Sequence, residues 1–286
     1  MNLLARRLVV VLGKGGTGRS TVASALALAA VARGRTARVV VLGSSGDAAP
    51  GVDVFRVTVA SCLEAFGVRK LHLPGFATRV IRNRIVATLI DAIPGLADVL
   101  LLGRIENLIS EPQPDDPAAD LLILDAPATG HGWTLLQAPG TMTRMTRTGP
   151  FFELARNIEH FLRDPDRTAL VVCTLPEQLP VRESLELTAS LAEEGFRTAG
   201  IVVNRVAPPP LLSPPPQSAV RELLDTVPGG EALAALLDNA TVRQARQDAA
   251  LQALQAGLDE ALPFAALPEV TGPAAASLAP HVAELL

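Results

Sequence analysis

A glycine-rich loop is the most informative feature of this sequence. It separates a short apolar run, residues 8–12, from a helical pattern, residues 20–33. Glycines let successive backbone N–H groups turn toward an anion, and the N-terminus of the following helix adds partial positive charge. Two glycines, a basic residue and a hydroxyl residue stand at the spacing of a Walker A phosphate loop, which predicts binding of ATP or ADP. The nine predicted binding residues are Gly13, Lys14, Gly15, Gly16, Thr17, Gly18, Arg19, Ser20 and Thr21.

A second chemical feature is an aspartate at the end of another apolar run. Residues 121–124 are followed by Asp125, and an acid there can hold the ligand shell of Mg²⁺ opposite the loop hydroxyl of Ser20. An aspartate after a strand is also common as a helix cap. We predict a magnesium site that Ser20 and Asp125 share.

The basic residue near the end of the loop departs from the usual pattern. Arg19 stands where lysine is usual. Arginine keeps the positive charge, but its planar guanidinium is bulkier and less adaptable than an ammonium group. We expect nucleotide binding to be retained and the rate of hydrolysis to change, which makes Arg19 a candidate catalytic residue.

Lys14 directly follows the first glycine of the loop, and lysine at this position is typical of the deviant-Walker nucleotide-binding proteins. The sequence resembles this class, which includes the arsenite-pump ATPases, MinD, ParA and the nitrogenase iron protein. In those families the lysine reaches across a dimer interface to the partner's nucleotide. The resemblance implies a dimer with nucleotide between its subunits, in which Lys14 takes part in catalysis.

The residues after Asp125 indicate which families of the deviant-Walker class the sequence resembles most. Asp125 is followed by Ala-Pro-Ala-Thr-Gly-His and, after three intervening residues, by Leu-Leu-Gln-Ala-Pro. This pattern closely resembles switch II of the arsenite-pump and tail-anchored-protein-targeting ATPases, which MinD and ParA lack. The resemblance implies that the Gly130 amide senses the γ-phosphate, since a glycine lets the backbone approach closely. It also implies that His131 lies in a moving switch.

The resemblance extends over most of residues 8–270. Residues 172–187 resemble the family's strand, Pro-Glu pair and helix, and residues 262–270 resemble the loop that covers the adenine. Asn204 follows an apolar run. The resemblance implies that Asn204 reads the edge of the base, and an ordinary turn residue at a strand end is the alternative.

The segment after the second apolar run departs from the family. The family has an Asp-Pro-Ala-His-type switch I with the acid that positions the attacking water, whereas residues 43–50 read Gly-Ser-Ser-Gly-Asp-Ala-Ala-Pro. Asp47 is the candidate for that acid, and Asp53 is the next acidic residue. Efficient phosphoryl transfer to water needs a group that orients the water. Together with Arg19, this segment predicts slow or partner-dependent ATP hydrolysis.

Continuous apolar runs indicate strands buried on both faces of a parallel sheet, with helical patterns between them. We predict an α/β P-loop NTPase fold with a mostly parallel central sheet flanked by helices, and a helical layer over the nucleotide side. Residues 1–286 are expected to form a single domain with helical insertions at about 61–110 and 140–165. The apolar runs cover residues 8–12, 39–42, 121–124, 169–173 and 199–203.

Composition argues against several functions. A formal net charge of −4 speaks against a general nucleic-acid binder. No stretch of about 18 residues is apolar and uncharged, so we expect no integral membrane segment. Cys62 and Cys173 form no CxxC pair, which speaks against a zinc site and against the thiolate cluster that arsenite would need. This cysteine usage fits a reduced, cytoplasmic setting.

Three functions follow from these observations. The first is a dimeric ATPase switch that acts on a hydrophobic client or partner protein, with residues 76–93 and 96–109 lining a client groove or belonging to the core. The second is a catalytically impaired nucleotide-binding subunit paired with an active paralogue, which Arg19 and the altered switch I favour. The third is a MinD- or ParA-like positioning ATPase. The switch II pattern and the absence of Lys and Arg from residues 273–286 speak against it.

Overall fold

A seven-stranded parallel sheet forms the centre of the computed structural model, which describes residues 2–43, 48–62, 90, 92–110, 119–127, 131–208, 217–259 and 262–285. Its order is β3-β2-β4-β1-β5-β6-β7, and all neighbouring strands are parallel. This confirms the predicted α/β fold, and each predicted apolar run lies in a strand. The strands are β1 (Leu8–Gly13), β2 (Ala37–Leu42), β3 (Asp53–Val57), β4 (Leu121–Asp125), β5 (Thr168–Thr174), β6 (Thr198–Val206) and β7 (Phe264–Pro268).

Helices connect the strands and cover both faces of the sheet. None of the helices in the described parts of the chain is long and apolar enough to cross a membrane. The α-helices are α1 (Arg19–Ala32), α2 (Leu96–Ser110), α3 (His131–Met145), α4 (Pro150–Arg163), α5 (Gln178–Glu193), α6 (Gln217–Leu224), α7 (Gly230–Gly257) and α8 (Ala274–Val282), and short 3₁₀ turns lie at Leu3–Ala5 and Ala283–Leu285.

Two cores lie on the two faces of the sheet, since successive residues of a strand point to opposite faces. In β1, Val9 and Val11 face the core formed with α1 and α8. Leu8, Val10 and Leu12 face the other core, which α2, α3, α4, α5 and α7 cover. Because both faces are buried, the central strands consist of continuous apolar runs.

A layer of three helices, α2, α3 and α4, lies on the face of the sheet opposite α1. Helix α2 buries most of its apolar side chains, among them Val99 and Ile105, against α3, α4 and the sheet. The helical stretch at residues 96–109 therefore belongs to the core. Most of the other candidate groove helix, residues 76–89 and 91, lies outside the described residues.

Three elements differ from the pattern in the sequence. The pattern does not predict β3, which lies at the edge of the sheet and is partly exposed, or α3, which contains Pro139. The expectation of a loop at residues 262–270 is wrong for Phe264–Pro268, which pair with β6 as the edge strand β7. Proline is tolerated in β7 because one side of an edge strand has no ladder hydrogen bonds to make.

Candidate functional site

The glycine-rich loop leaves the sheet from its central strand. β1 lies between β4 and β5, with Val11 beside Asp125 and Gly13 beside Cys173. Gly13 has φ +146°, and a Cβ there would lie 2.2 Å from the carbonyl oxygen of Cys173. The close approach and the positive φ together exclude a side chain at this position, which explains the first glycine of the motif.

The loop ends at an uncapped helix N-terminus. Gly18 is the N-cap of α1 and adopts the left-handed conformation. Its lack of a side chain leaves the first N–H groups of α1 without a side-chain cap, and the first turn contains no acidic residue. Free N–H groups and the positive end of the helix dipole favour an anion here. Among the other predicted loop residues, Gly15 and Gly16 are exposed and Thr21 is half-buried in the first turn of α1.

Ser20 and Asp125 meet at the edge of this loop. The hydroxyl of Ser20 donates to Asp125 Oδ2 at 2.5 Å. The other carboxylate oxygen, Oδ1, is buried and has no hydrogen-bond partner among the described residues. Burial raises the pKa of Asp125, and the hydrogen bond from Ser20 and the charge of Arg19 oppose that shift. An oxygen atom without a partner beside a hydroxyl fits a small hard cation such as Mg²⁺, which prefers oxygen ligands.

Arg19 points toward the end of β4. Its Nη1 donates to the carbonyl of Ala126, the residue that follows Asp125. The guanidinium is thus held by the protein next to Asp125. An arginine in this position can still contact phosphate, but its planar fork restricts the geometry.

Lys14 is paired within its own chain. Its Nζ forms an ion pair with Glu183 Oε1 on α5. The other carboxylate oxygen of Glu183 is buried and has no hydrogen-bond partner in the described residues. The sequence motif includes Glu183 but gives it no role, because nothing in the pattern indicates which residue of the distant loop it would contact. The expectation that Lys14 reaches a partner subunit stays a prediction.

Asn204 lies beneath the loop and is 3% exposed. Its Nδ2 donates to the carbonyl of Thr17 at 2.9 Å. The contact with the edge of a base stays a prediction, and the structure gives the amide nitrogen a partner in the loop. Sequence reasoning missed this contact because the two residues are far apart along the chain.

A cleft of about 1000 Å³ lies at the carboxyl ends of β5, β6 and β7, the edge of the sheet from which the glycine-rich loop also leaves β1. Its polar lining includes Glu177 after β5, Arg205 near the end of β6 and Glu269 after β7. Arg243 of α7 donates to Glu269 at 2.5 Å and so links α7 to the end of β7. Ligands of open parallel sheets bind outside the carboxyl ends of the strands, and this cleft lies there.

The segment that resembles switch II begins at Asp125, and α3 follows it in the chain. Two predicted functional residues, Asp47 and Gly130, lie outside the described residues. His131, the first residue of α3, lies near Asp98 in the first turn of α2. Burial raises the pKa of Asp98, and the charge of His131 opposes that shift. The start of α3 therefore lies close to the first turn of α2.

Both cysteines are buried and unpaired. Burial raises the pKa of Cys62 and of Cys173 to about 12. Soft metal and metalloid ions such as arsenite bind thiolates, and these thiols keep their protons at neutral pH. Within the described part of the chain, no group of three or more His, Cys, Asp and Glu side chains is arranged to hold a metal ion.

Comparison with known proteins places these features among ATPases. A family model for anion-transporting ATPases matches residues 144–213. The ATPase BagA of Mycobacterium tuberculosis is 32% identical over 224 residues, which cover 71% of this chain and 66% of that protein. Arsenical pump-driving ATPases of Acidiphilium multivorum and Escherichia coli are each 26% identical over 216 residues, which cover 69% of this chain and 34% of those proteins. The chain thus spans just under two thirds of the mycobacterial relative and about one third of the arsenical pump ATPases.

Proposed function

Because the chain belongs to the ArsA family of anion-transporting ATPases, we propose that it binds ATP in the loop between β1 and α1 and hydrolyses it to ADP and phosphate. The observation that carries the proposal is the meeting of Ser20 and Asp125 beside an uncapped helix N-terminus. A hydroxyl and a buried acid at this place are the groups that hold Mg²⁺ in phosphate-loop enzymes.

The loop supplies the groups that a triphosphate needs. The first turn of α1 offers N–H groups, and Lys14 and Arg19 add two positive charges within the loop itself. Backbone amides fix the position of the phosphates, and the two cations offset their negative charge. The cleft at the carboxyl ends of β5, β6 and β7 is of a size to accept the adenosine part of the nucleotide.

Ser20 and Asp125 would hold the magnesium ion. Bound there, Mg²⁺ would neutralise charge on the terminal phosphates. Asp125 Oδ1 is the atom that lacks a partner, so it is the oxygen available to the ion or to one of its water ligands.

We expect hydrolysis to be slow or dependent on a partner. Arg19 replaces the usual lysine, and its guanidinium is already engaged by the carbonyl of Ala126. The candidate for positioning the attacking water is Asp47, in the segment that departs from the family. Gly130 is the candidate sensor of the γ-phosphate.

We propose that the active unit is a dimer that responds to nucleotide and acts on a hydrophobic client or partner protein. Lys14 would leave Glu183 and contact the nucleotide of the other subunit, and α3 would carry the change from switch II to α2. The resemblance of switch II to the targeting ATPases supports this part. A catalytically impaired subunit paired with an active paralogue is the second candidate, and the contact of Arg19 with Ala126 favours it.

Calorimetry with ATP and ADP, with and without Mg²⁺, tests the central claim. The wild-type protein should bind both nucleotides, and Ser20→Ala should lose most of the magnesium dependence. Ser24→Ala is a matched control, because Ser24 lies in the same helix and hydrogen-bonds the amide of Ala49 instead. Absence of binding at millimolar nucleotide would overturn the proposal.

Phosphate release and light scattering with MgATP separate the two forms of the proposal. A homodimeric enzyme should turn over ATP alone and dimerise with nucleotide. An impaired subunit should bind ATP without turnover and gain activity only when mixed with a paralogue that has the usual loop lysine.

A further inference from the structure

Two side chains converge on one carbonyl group of the loop. The carbonyl oxygen of Thr17 accepts hydrogen bonds from Asn204 Nδ2 at 2.9 Å and from Cys173 Sγ at 3.4 Å. All three residues are buried. Because Cys173 belongs to β5 and Asn204 to β6, the loop is attached to two neighbouring strands on one side of β1.

The chemistry of these contacts fixes the direction of each hydrogen bond. A carbonyl oxygen can only accept, so Asn204 must present its NH₂ group to Thr17. Burial raises the pKa of Cys173 to about 12, so the thiol keeps the proton that it donates. A carbonyl oxygen has two lone pairs, and these two donors can occupy both.

The orientation of this carbonyl determines the orientation of the next amide. In a trans peptide the C=O and N–H groups point in opposite directions. Since the carbonyl of Thr17 points at Asn204 and Cys173, the N–H of Gly18 points away from them. The hydroxyl of Thr17 also donates to the carbonyl of Lys14 at 2.9 Å. The Lys14 carbonyl also accepts from the N–H of Thr17 at 3.4 Å. Two loop carbonyls are therefore engaged by the protein.

Gly18 and Asn204 fit each other closely. Gly18 has φ +87°, and a Cβ at this position would lie 2.2 Å from Asn204 Nδ2. A side chain at residue 18 would displace the amide that holds Thr17. The glycine at this point of the motif is thus needed for the contact with Asn204 as well as for its backbone conformation.

We propose that Asn204, assisted by Cys173, is a positioning residue that orients the Thr17–Gly18 peptide and so preorganises the loop for the triphosphate. The inference rests on the proposed function, ATP binding at this loop. It gives Asn204 a role that does not involve the base, so the two roles predict different ligand dependence.

Calorimetry with three ligands separates these roles. ATP, GTP and inorganic tripolyphosphate, each with Mg²⁺, are titrated into the wild-type protein and Asn204→Ala. Loss of one buried hydrogen bond is expected to weaken tripolyphosphate about tenfold. ATP should weaken by the same factor, and the ratio of ATP to GTP affinity should stay unchanged. A residue that reads the base would change that ratio and leave tripolyphosphate binding unaltered.

Thr168→Val is the matched control for general loss of stability. The hydroxyl of Thr168 is buried and donates to the carbonyl of Phe161 at 2.9 Å, at the amino end of β5 and far from the loop. The variant also leaves a buried carbonyl without its donor. We expect it to lower the melting temperature as Asn204→Ala does, with no change in tripolyphosphate affinity.

Variants of Cys173 test the same positioning role if Asn204→Ala does not fold. Cys173→Ala removes the weaker donor and should weaken tripolyphosphate and ATP by about twofold each. Cys173→Ser keeps a hydroxyl donor and should recover part of that loss. Unchanged tripolyphosphate affinity in the folded variants would overturn the inference. If the wild-type protein binds neither ATP nor tripolyphosphate, the proposed function fails instead.

Discussion

Lys14 of the glycine-rich loop and Glu183 of α5 form an ion pair within one chain. Their side chains are 42% and 31% exposed, so water screens the pair and its energy is modest. The ammonium group in this pair is nevertheless the one that, by the deviant-Walker resemblance, would contact the nucleotide of a partner subunit. Glu183 and the phosphate of a bound nucleotide would therefore compete for the same cation.

Removing the charge of Glu183 should strengthen nucleotide binding. In Glu183→Gln, the phosphate loses a charged competitor for Lys14. We expect MgATP affinity to rise about threefold to fivefold, in keeping with the modest energy of a partly exposed pair. The proportion of dimer in the presence of MgATP should rise as well. Calorimetry and light scattering measure the two effects.

Glu186→Gln is the control for the Glu183 variant. Glu186 lies on the same helix and pairs with Arg182 at 2.9 Å on the surface. Its replacement should change neither affinity nor dimer content. Equal behaviour of the two variants would show that Glu183 does not compete for Lys14.

Arg19→Lys should raise the rate of ATP hydrolysis. A lysine cannot reproduce the guanidinium contact with the carbonyl of Ala126, and its compact ammonium can adapt to the phosphates. We expect kcat to rise about tenfold, which corresponds to about 1.4 kcal/mol of activation free energy. Arg33→Lys, at the opposite end of the same helix, should leave kcat unchanged. A fall in kcat for Arg19→Lys would show that the arginine is adapted to the reaction.

Asp125→Asn should increase stability while reducing magnesium binding. Burial raises the pKa of Asp125, so the folded protein binds a proton more tightly than the unfolded chain does. The free energy of unfolding therefore falls as pH rises from the usual carboxyl range through the higher pKa of the folded state. The neutral amide removes this loss, and the melting temperature at pH 7 should rise. The magnesium dependence of ATP binding should disappear.

Asp120→Asn should change the stability in the direction opposite to Asp125→Asn. Hydrogen bonds from the amide and hydroxyl of Thr36 lower the pKa of Asp120. Its contribution to stability is present above the usual carboxyl pKa and is lost as pH falls through the lowered value. Asp120→Asn should therefore destabilise the protein at pH 7. If Asp125→Asn lowers the melting temperature as Asp120→Asn does, burial does not dominate at Asp125.

Gly18→Ala should damage both stability and phosphate binding. The left-handed backbone costs an alanine about 1 kcal/mol. The Cβ would also collide with Asn204. Gly34→Ala is the control for the backbone cost alone, because Gly34 has φ +78° with no atom within 4 Å of the added Cβ. The difference between the two variants gives the effect of the collision with Asn204. We expect a larger loss of stability for Gly18→Ala in thermal unfolding, and weaker tripolyphosphate binding in that variant alone. Equal losses of stability would contradict the close fit.

The centre of the fold was predictable from the sequence because its strands are buried on both faces. The runs that form β1, β4, β5 and β6 are continuous and apolar, so composition alone identifies them. β3 and β7 lie at the two edges of the sheet, where partial exposure weakens that signal. α3 escaped prediction because Pro139 interrupts its pattern and tertiary packing stabilises the helix.

The candidate site was predictable where its residues are adjacent in sequence. The loop and Asp125 carry a motif, and the structure brings Ser20 and Asp125 together. The partners of Lys14 and Thr17 depend on which strands become neighbours in the sheet. The residues next to Glu183 and Asn204 in the sequence do not predict those neighbours. Short sequence motifs therefore predict which groups can bind an anion. The contacts that orient those groups depend on the order of the strands in the sheet, which the motifs do not predict.

The order of the strands also affects when the site can form during translation. A chain leaving the ribosome contains the complete glycine loop long before it contains β5 and β6, because the loop directly follows β1. The carbonyl of Thr17 acquires its two donors only after β5 and β6 have joined β1 from much later in translation. A nascent chain should consequently gain its affinity for nucleotide late in synthesis, and bound nucleotide should then stabilise the finished sheet.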